Sequence, residues 1–161
     1  MTDVHNPEQR SRNMRAIGPT NTAPELQVRK ALHAAGLRFR LHVRDLPGTP
    51  DLVLPKYRSV IFVHGCFWHG HDCHLFKVPA TGTSFWLKKI ESNRHRDATT
   101  SRKLLDEGWR VLTIWECALK GRNKLPISEV TERTHLWLCS EYPLGTIRGT
   151  THQATTFKTQ A

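Results

Sequence analysis

The stretch VIFVHGCFWHGHDCH, residues 60–74, joins an apolar run to a segment that is rich in histidine and cysteine. Residues 60–63 are all large and apolar, which predicts a short β-strand that is covered on both faces. Gly65 and Gly70 then interrupt the pattern, so residues 64–74 are predicted to form a loop after the strand. The stretch therefore connects a strand of the core to a loop with reactive side chains.

The sequence on either side predicts a mixed sheet with helices packed against it. A helix is expected between Pro24 and Gly36, because proline suits the first turn of a helix and glycine suits its end. Strict alternation of apolar and polar residues over 37–44 predicts a half-buried strand. The remaining predicted elements are a strand at 51–54, the strand at 60–63, a helix at 84–107 that is kinked or split near Asn93, a strand at 109–115 and a helix at 127–142.

Three regions follow from composition. Residues 1–20 are polar and basic and are expected to form an arm that becomes ordered on a nucleic acid; the alternative is a frayed terminus. Residues 21–144 carry the predicted elements and form the folded domain. Residues 145–161 are rich in threonine and contain no acid, so we expect a disordered tail.

The overall charge indicates a polyanionic partner. The 161 residues include 24 Lys and Arg against 14 Asp and Glu, for a formal net charge of +10. Such a balance favours nucleic acid, although a merely basic surface is the alternative interpretation. No apolar run approaches the roughly 20 residues of a membrane helix, and the first residues do not resemble a signal peptide. We therefore expect a cytoplasmic protein without membrane contact.

The chain contains four cysteines: Cys66, Cys73, Cys117 and Cys139. In a cytoplasmic protein, close spacing of cysteine and histidine indicates metal rather than disulfides. Two or three thiolates with one imidazole would make a closed, structural zinc site. The candidate imidazoles are His64, His69, His71 and His74. Buried free thiols are the alternative, and Cys139 is interpreted as a core thiol on the last helix.

Three further residues have the chemistry of hydrolysis. Asp51 opens an apolar strand, where its carboxylate is well placed to hold Mg²⁺, although a role in the preceding turn is equally consistent. His64 and His69 flank the aromatic pair of the loop. A neutral imidazole deprotonates water near neutral pH, so either could be a general base. The alternative is that both only support the metal loop.

Aromatic residues on the loop indicate a surface that something covers. Phe67 and Trp68 lie within it, and Trp86 begins the next helix. Aromatic side chains can enter between base steps and open a duplex, which makes these three a candidate wedge. Ordinary core packing is the alternative, and we assign that role to Trp109 and Trp115, as well as to Trp137.

Four segments together resemble the very short patch repair (Vsr) DNA mismatch endonuclease family. They are residues 48–51, 62–69, 73–79 and 109–117, and the resemblance covers about residues 8 to 140. It implies an α/β fold similar to that of type II restriction endonucleases, with a mixed sheet flanked by helices. It also implies a Mg²⁺-dependent enzyme that nicks one strand 5′ of the T in a T·G mismatch, the product of 5-methylcytosine deamination.

The resemblance also implies roles for individual residues. Asp51 and the backbone carbonyl of Val63 would bind Mg²⁺, His69 would be the general base, and His64 would assist at the phosphate. Glu25 and Asp97 would be supporting acids, with Asp97 reaching His69 or a metal-bound water. The implied zinc ligands are Cys66, His71, Cys73 and Cys117. The implied DNA contacts are the wedge residues Phe67, Trp68 and Trp86 with Met14, Arg10, Arg12 and Arg15 of the arm.

The pattern departs from related enzymes at two points. The wider restriction-enzyme superfamily places an acid and a lysine on the strand after the first aspartate, whereas residues 62–64 contain neither, which assigns the base to histidine. Position 63 is often threonine in the repair family and is valine here. We expect a monomer that acts on T·G duplex DNA, with mismatch-repair proteins as further candidate partners. The rival interpretations are a zinc-stabilised DNA-binding module without catalysis and a base-excising glycosylase.

Overall fold

A computed structural model describes residues 21–150, in which three helices surround one five-stranded sheet. The arm with Met14, Arg10, Arg12 and Arg15 and the end of the predicted tail, residues 151–161, lie outside these described residues. The helices are α1 (Ala23–Ala34), α2 (Thr83–Asp106) and α3 (Ile127–Leu138). The strands are β1 (Arg40–Leu41), β2 (Leu52–Leu54), β3 (Ser59–His64), β4 (Arg110–Trp115) and β5 (Leu144–Ile147).

The sheet is mixed, as the sequence predicted. Its strand order is β1-β2-β3-β4-β5, in which the first three strands are antiparallel and β3, β4 and β5 are parallel. Because β3 and β4 are parallel, His64 is paired with Trp115 at the C-terminal ends of the two strands. The loop after β3 and the turn after β4 therefore begin side by side, which brings residues far apart in sequence to one place.

Both faces of the sheet are covered by helices. Leu52 and Leu54 point to one face, where they pack in a cluster with Val28 of α1 and Trp137 of α3. Val53 points to the other face and packs with Leu104 of α2. This alternation is the period of two expected of a strand, and it explains why apolar residues fill both faces of β2.

The strand predicted over residues 37–44 is much shorter in the structure. Only Arg40 and Leu41 pair with β2, and both are exposed at the edge of the sheet. His42 has a φ of 48°, a left-handed conformation that ends the extended backbone. The predicted strand was therefore wrong in length, because alternation describes which side chains are buried and not whether the backbone finds a pairing partner.

The long helix α2 is uninterrupted from Thr83 to Asp106, so the predicted split near Asn93 was wrong. The Asn93 side chain instead donates a hydrogen bond from Nδ2 to the carbonyl oxygen of Trp68, at 2.9 Å. Gly82 occupies the N-cap position of the helix, which begins one residue before the predicted start. Asn93 thus connects α2 to the loop of residues 64–74 instead of breaking the helix.

The tail predicted to start at residue 145 was wrong for its first part. Residues 144–147 form β5, and the described chain continues to Thr150. Cys139 is exposed at the end of α3 rather than buried, so its assignment to the core was also wrong. None of the helices described over residues 21–150 has the length and apolar character needed to cross a membrane.

Candidate active site and metal centre

A cleft of about 260 Å³ opens at the edge of the sheet where β3 ends. It lies between the turn before β2, the end of β3 and one face of α2. Its lining residues are Gly48, Thr49, Asp51, Phe62, Val63, His64, His69, Arg96, Asp97 and Thr100. The cleft therefore gathers the predicted carboxylate and both predicted catalytic histidines in one cavity.

Asp51 is held in the cleft by the neighbouring strand. The backbone N–H of Val63 donates to Oδ2 of Asp51 at 2.7 Å, which fixes the carboxylate against β3. Burial raises the pKa of Asp51 to about 6, and this hydrogen bond only partly opposes the effect. The nearby Glu25 carboxylate raises the pKa of Asp51 further. A buried carboxylate of this kind is suited to a cation, which would compensate its charge.

Glu25 lies behind Asp51 and is only 2% exposed. Its carboxylate accepts hydrogen bonds from Arg29 on the same helix and from Nε2 of His42, the latter at 2.6 Å. One ligand atom each from Glu25, His42 and Asp51 lie within 4.8 Å of one another. The sequence indicated Glu25, but His42 was missed, since it was assigned to the polar face of a strand.

The two histidines of the cleft are stacked on one another. The rings of His64 and His69 are parallel within 1°, with centroids 3.7 Å apart. His69 Nδ1 lies 2.5 Å from Oδ2 of Asp97, a residue of α2. Burial lowers the pKa of His64 to about 3, with a further contribution from His69, so His64 is neutral at physiological pH. Asp97 thus reaches His69, which was one of the two positions expected for it.

A second cluster lies on the other side of the loop. Ligand atoms of Cys66, His71, Cys73 and Cys117 all lie within 4.8 Å of one another. Nδ1 of His71 is 3.5 Å from the sulfur of Cys66 and 3.6 Å from that of Cys117. A tetrahedral zinc ion with ordinary bond lengths separates such ligands by roughly 3.6 Å. The donor set and its geometry therefore fit the predicted zinc site, with His71 as the imidazole.

Interactions within this cluster favour a thiolate. The contact between Cys66 and Cys117 raises the pKa of the Cys66 thiol and lowers the pKa of Cys117 to about 4. The backbone N–H groups of Cys117 and Gly149 donate to the sulfurs of Cys66 and Cys117, respectively, each at 3.3 Å. Thiolates are the form in which cysteine binds metal, so this environment prepares the cluster for an ion.

The chain after β5 supports the cluster from outside. Arg148 donates to the side chain of Asp72 at 2.9 Å and to its carbonyl oxygen at 3.0 Å. Oδ1 of Asp72 is in turn 3.6 Å from Nε2 of His71, on the side of the ring away from the sulfurs. A Cβ atom at Gly149 would lie 2.5 Å from the carbonyl oxygen of Cys117. The sequence did not indicate a role for Arg148 or Gly149, because both lie in the predicted tail.

The aromatic residues of the predicted wedge form one cluster. Phe67 and Trp68 contact each other edge to face, and both contact Trp86 of α2, with ring centroids 5.3–5.9 Å apart. All three are half-buried, and the neighbouring Phe85 is 62% exposed. Trp115 was assigned to the core but is half-buried and stacks on His71, with centroids 4.1 Å apart. The loop therefore presents an aromatic surface beside the cleft.

A carboxylate and a polarised histidine pair in one cleft, in a chain with a net charge of +10, are features of a nuclease. Residues 2–75 match the family model described as DNA mismatch endonuclease Vsr. The chain belongs to the Vsr family of DNA mismatch endonucleases, as the sequence resemblance predicted, and is a nuclease that acts on phosphodiester bonds of DNA.

Individual relatives give the extent of the similarity. The chain is 53% identical to the DNA mismatch endonuclease Vsr of Escherichia coli (strain K12) over 141 residues, which are 88% of this chain and 90% of that protein. It is 51% identical to the type II nicking enzyme V.XorIIP of Xanthomonas oryzae pv. oryzae over 125 residues, 78% of this chain and 92% of that enzyme. It is 43% identical to the type II nicking enzyme V.NmeAIP of Neisseria meningitidis serogroup A over 122 residues, which are 76% of this chain and 87% of that enzyme.

Proposed function

We propose that the protein is a strand-specific endonuclease that nicks DNA 5′ of the T in T·G mismatches and so begins the repair of deaminated 5-methylcytosine. The observation that carries the proposal is that Asp51 and the His64–His69–Asp97 group line one cleft. Relatives named as nicking enzymes support the cleavage of a single strand. The fold class that this implies is that of the restriction endonucleases.

The chemistry begins at His69. With its Nδ1–H donated to Asp97, the other ring nitrogen has a free lone pair and accepts a proton from the attacking water. The water oxygen bonds to phosphorus while the bond from phosphorus to the 3′ oxygen breaks. The leaving oxygen takes up a proton, so the products carry a 5′-phosphate and a 3′-hydroxyl. Asp97 holds the His69 ring in position and stabilises the imidazolium that forms.

His64 acts in its neutral form. Its low pKa keeps the ring uncharged, so it assists as an N–H donor to a phosphate oxygen and not as a cation. The stacked ring of His69 gains the positive charge during the reaction, which further disfavours a second charge on His64. The division of roles between two adjacent imidazoles thus follows from their different environments.

Two metal ions are proposed, with different roles. Asp51, the Val63 carbonyl and the nearby Glu25 offer the oxygen ligands that Mg²⁺ prefers, and a cation held there supplies polarisation of the phosphodiester. Cys66, His71 and Cys73 with Cys117 fill all four positions of a tetrahedral zinc site. Since no position remains for water or substrate, this site holds the loop and takes no part in the reaction.

DNA recognition is proposed to divide between charge and shape. Phe67, Trp68 and Trp86 form the wedge at the mismatch, with Met14 entering from the arm. The basic arm of residues 1–20 and the basic residues between α1 and β2 bind phosphates, which gives affinity without sequence information. We propose that the enzyme acts as a monomer and that its folded domain extends to residue 150.

Duplexes with one T·G pair, labelled on each strand, test the proposed function. The protein is expected to nick only the T strand with Mg²⁺ and to leave a matched duplex intact. Asp51→Ala and His69→Ala should lower the nicking rate more than ~100-fold while DNA binding is kept. His95→Ala, an exposed histidine elsewhere on α2, is the matched control and should nick normally.

Other products would identify the rival functions. Tight binding without a nick in Mg²⁺ would indicate a binding module, and an abasic site formed in EDTA would indicate a glycosylase. Unchanged nicking by both Asp51→Ala and His69→Ala would refute the proposed site.

A further inference from the structure

Helix α2 contributes three side chains to the cleft. They are Arg96, Asp97 and Thr100, which lie on one side of the helix because residues four apart are stacked on its surface. The role of Asp97 follows from its contact with His69. Arg96 has no role in the reaction described so far, although it is the only Arg or Lys among the residues that line the cleft.

The guanidinium of Arg96 is not engaged by the part of the chain that the structure describes. Over residues 21–150 it makes no hydrogen bond or ion pair, and its neighbour Asp97 is paired with His69 instead. Some arginines of the structure make structural contacts, as when Arg110 donates to four carbonyl oxygens. Arg96 differs from the other arginines without such contacts because it lines the cleft. Arg96 is also exposed and lines the cleft, so its guanidinium is accessible to a phosphate bound there.

A positive charge at this position favours the reaction, in addition to the cation proposed at Asp51. A phosphodiester carries one negative charge, and the attack of water brings more negative charge onto its nonbridging oxygens. The other ionisable groups of the cleft are two carboxylates, His64, which is neutral, and His69, which only becomes charged as it takes the proton. An arginine supplies a permanent charge and two parallel N–H donors, a geometry that matches phosphate.

We propose that Arg96 is a further catalytic residue, whose guanidinium binds a nonbridging oxygen of the phosphate being cleaved and stabilises the charge that this oxygen gains in the transition state. The proposal rests on the proposed function in one respect, namely that the reacting phosphate occupies the cleft between Asp51 and His69. It adds a charged side-chain donor to the contact that His64 makes to the phosphate through a neutral ring.

Single-turnover nicking at saturating enzyme separates catalysis from affinity. Arg96→Ala should lower the rate of the bound complex by ~100-fold or more, while the Kd for the T·G duplex, measured with Ca²⁺, rises only a few-fold. Arg96→Lys keeps a positive charge but lacks the paired N–H donors. Its nicking rate should lie between those of the unaltered enzyme and Arg96→Ala. Arg102→Ala, an exposed arginine of the same helix outside the cleft, is the matched control and should keep the rate.

Sulfur substitution identifies the contact itself. Duplexes with a single Rp or Sp phosphorothioate at the cleaved position replace one nonbridging oxygen at a time. If Arg96 donates to one of these oxygens, the corresponding diastereomer slows the unaltered enzyme and has little further effect on Arg96→Ala. The other diastereomer should slow both proteins equally.

Two results would overturn the proposal. One is a normal rate at saturation with only a weakened Kd, which would make Arg96 a distant phosphate contact. The other is the same sulfur effect in Arg96→Ala as in the unaltered enzyme. Asp51→Asn separates a failure of the proposed function from a failure of the role of Arg96. If this variant nicks normally, the cleft is not the active site and both proposals fail. If it is inactive while Arg96→Ala is normal, only the role of Arg96 fails.

Discussion

The ionised carboxylate of Asp51 destabilises the folded protein but is suited to bind a cation. Asp51 is half-buried, its carboxylate is fixed by the Val63 N–H, and its pKa is raised to about 6. A raised carboxyl pKa means that the folded protein binds this proton more tightly than the unfolded chain does. Its contribution to stability is therefore present at low pH and is lost as the pH rises through 6. Above that pH the ionised group opposes folding until a cation compensates it.

Asp51→Asn is accordingly expected to stabilise the protein in EDTA at pH 8. The amide keeps an oxygen for the Val63 N–H and carries no charge, so the free energy of unfolding should rise by about 1–2 kcal/mol, less than the full linkage because the site is partly solvated. Thermal denaturation of both proteins measures the difference. It should become small near pH 4, because the Asp51 carboxyl of the folded protein is then protonated and as uncharged as the amide. A variant less stable than the unaltered protein at pH 8 would contradict this account.

The same pKa predicts how nicking depends on pH. The Asp51 carboxyl must lose its proton before it can bind a cation, so the rate should fall as the pH drops through about 6. Metal and proton compete for one group, and a tenfold increase in Mg²⁺ should move this midpoint to lower pH by up to about one unit. Single-turnover rates between pH 4.5 and 8 at two Mg²⁺ concentrations measure the shift. A midpoint independent of Mg²⁺ would assign the limb to another group.

At the scale of single residues, the sequence indicates chemistry where the residues are close in the chain. His64, Cys66, His69, His71 and Cys73 are close in sequence, and the structure divides them between the cleft and the Cys/His cluster. The engagement of His42 with Glu25 depends on a left-handed residue that brings the chain back to α1, and no sequence pattern indicates it. The unpaired state of Arg96 was equally hidden, since it follows from what Asp97 binds instead.

At the scale of elements, β5 and the residues after it matter most. β5 places Arg148 and Gly149 against the Cys/His cluster, where one braces Asp72 and the other donates to Cys117. Gly149 allows this close approach because it has no side chain to meet the carbonyl oxygens of Cys117 and Asn123. The cluster thus depends on a segment that contributes none of its ligands.

Gly149→Ala is therefore expected to weaken metal retention. The added methyl group must push the segment away, which lengthens the hydrogen bond to Cys117 and exposes the cluster. Changes to the surroundings of metal ligands typically cost 10–100-fold in affinity. Zinc release from purified protein into a coloured chelator should be about tenfold faster or more. Thr150→Ala, which keeps the backbone hydrogen bond to Asn123, is the control and should release zinc at the normal rate.

The elements differed in how well the sequence predicted them. Helices α1 and α3 and strands β2, β3 and β4 carry their own apolar patterns and were predicted within a few residues of their starting positions. Strand β5 has the short sequence Leu-Gly-Thr-Ile, with too little apolar periodicity to be recognised. It forms because its backbone pairs with β4 and because Gly145 leaves room for the ring of Trp137, and both conditions are tertiary.

At the scale of the whole molecule, one loop separates two kinds of chemistry. Its cysteines and His71 belong to the Cys/His cluster, while His64 and His69 line the cleft. Asn93 of α2 donates a hydrogen bond to the middle of the loop. The mixed sheet flanked by helices was predictable from the element pattern. The shared edge where these parts meet depends on the parallel pairing of β3 with β4, which local patterns do not determine.

Removal of the two proposed metals should have different consequences. EDTA added briefly and replaced by excess Mg²⁺ should stop and then restore nicking, because the cation at Asp51 is accessible from the cleft. Prolonged treatment with a strong zinc chelator should release the ion of the closed cluster and disorder the loop, and Mg²⁺ should then restore little activity. Nicking and the fluorescence of Trp68 and Trp86 measure both effects. Full recovery with Mg²⁺ alone would mean that the cluster does not support the site.

The contacts of Arg148 and Gly149 with the cluster also affect how the chain folds during its synthesis. The ribosome delivers the loop with Phe67 and Trp68 first, Cys117 later, and the residues that brace the cluster last. The thiols and aromatic rings of the nascent loop therefore stay exposed until β4 and β5 have paired in the sheet. A chain that ends before Arg148 lacks the contacts to Asp72 and Cys117, so we expect it to hold the loop and the cluster less firmly.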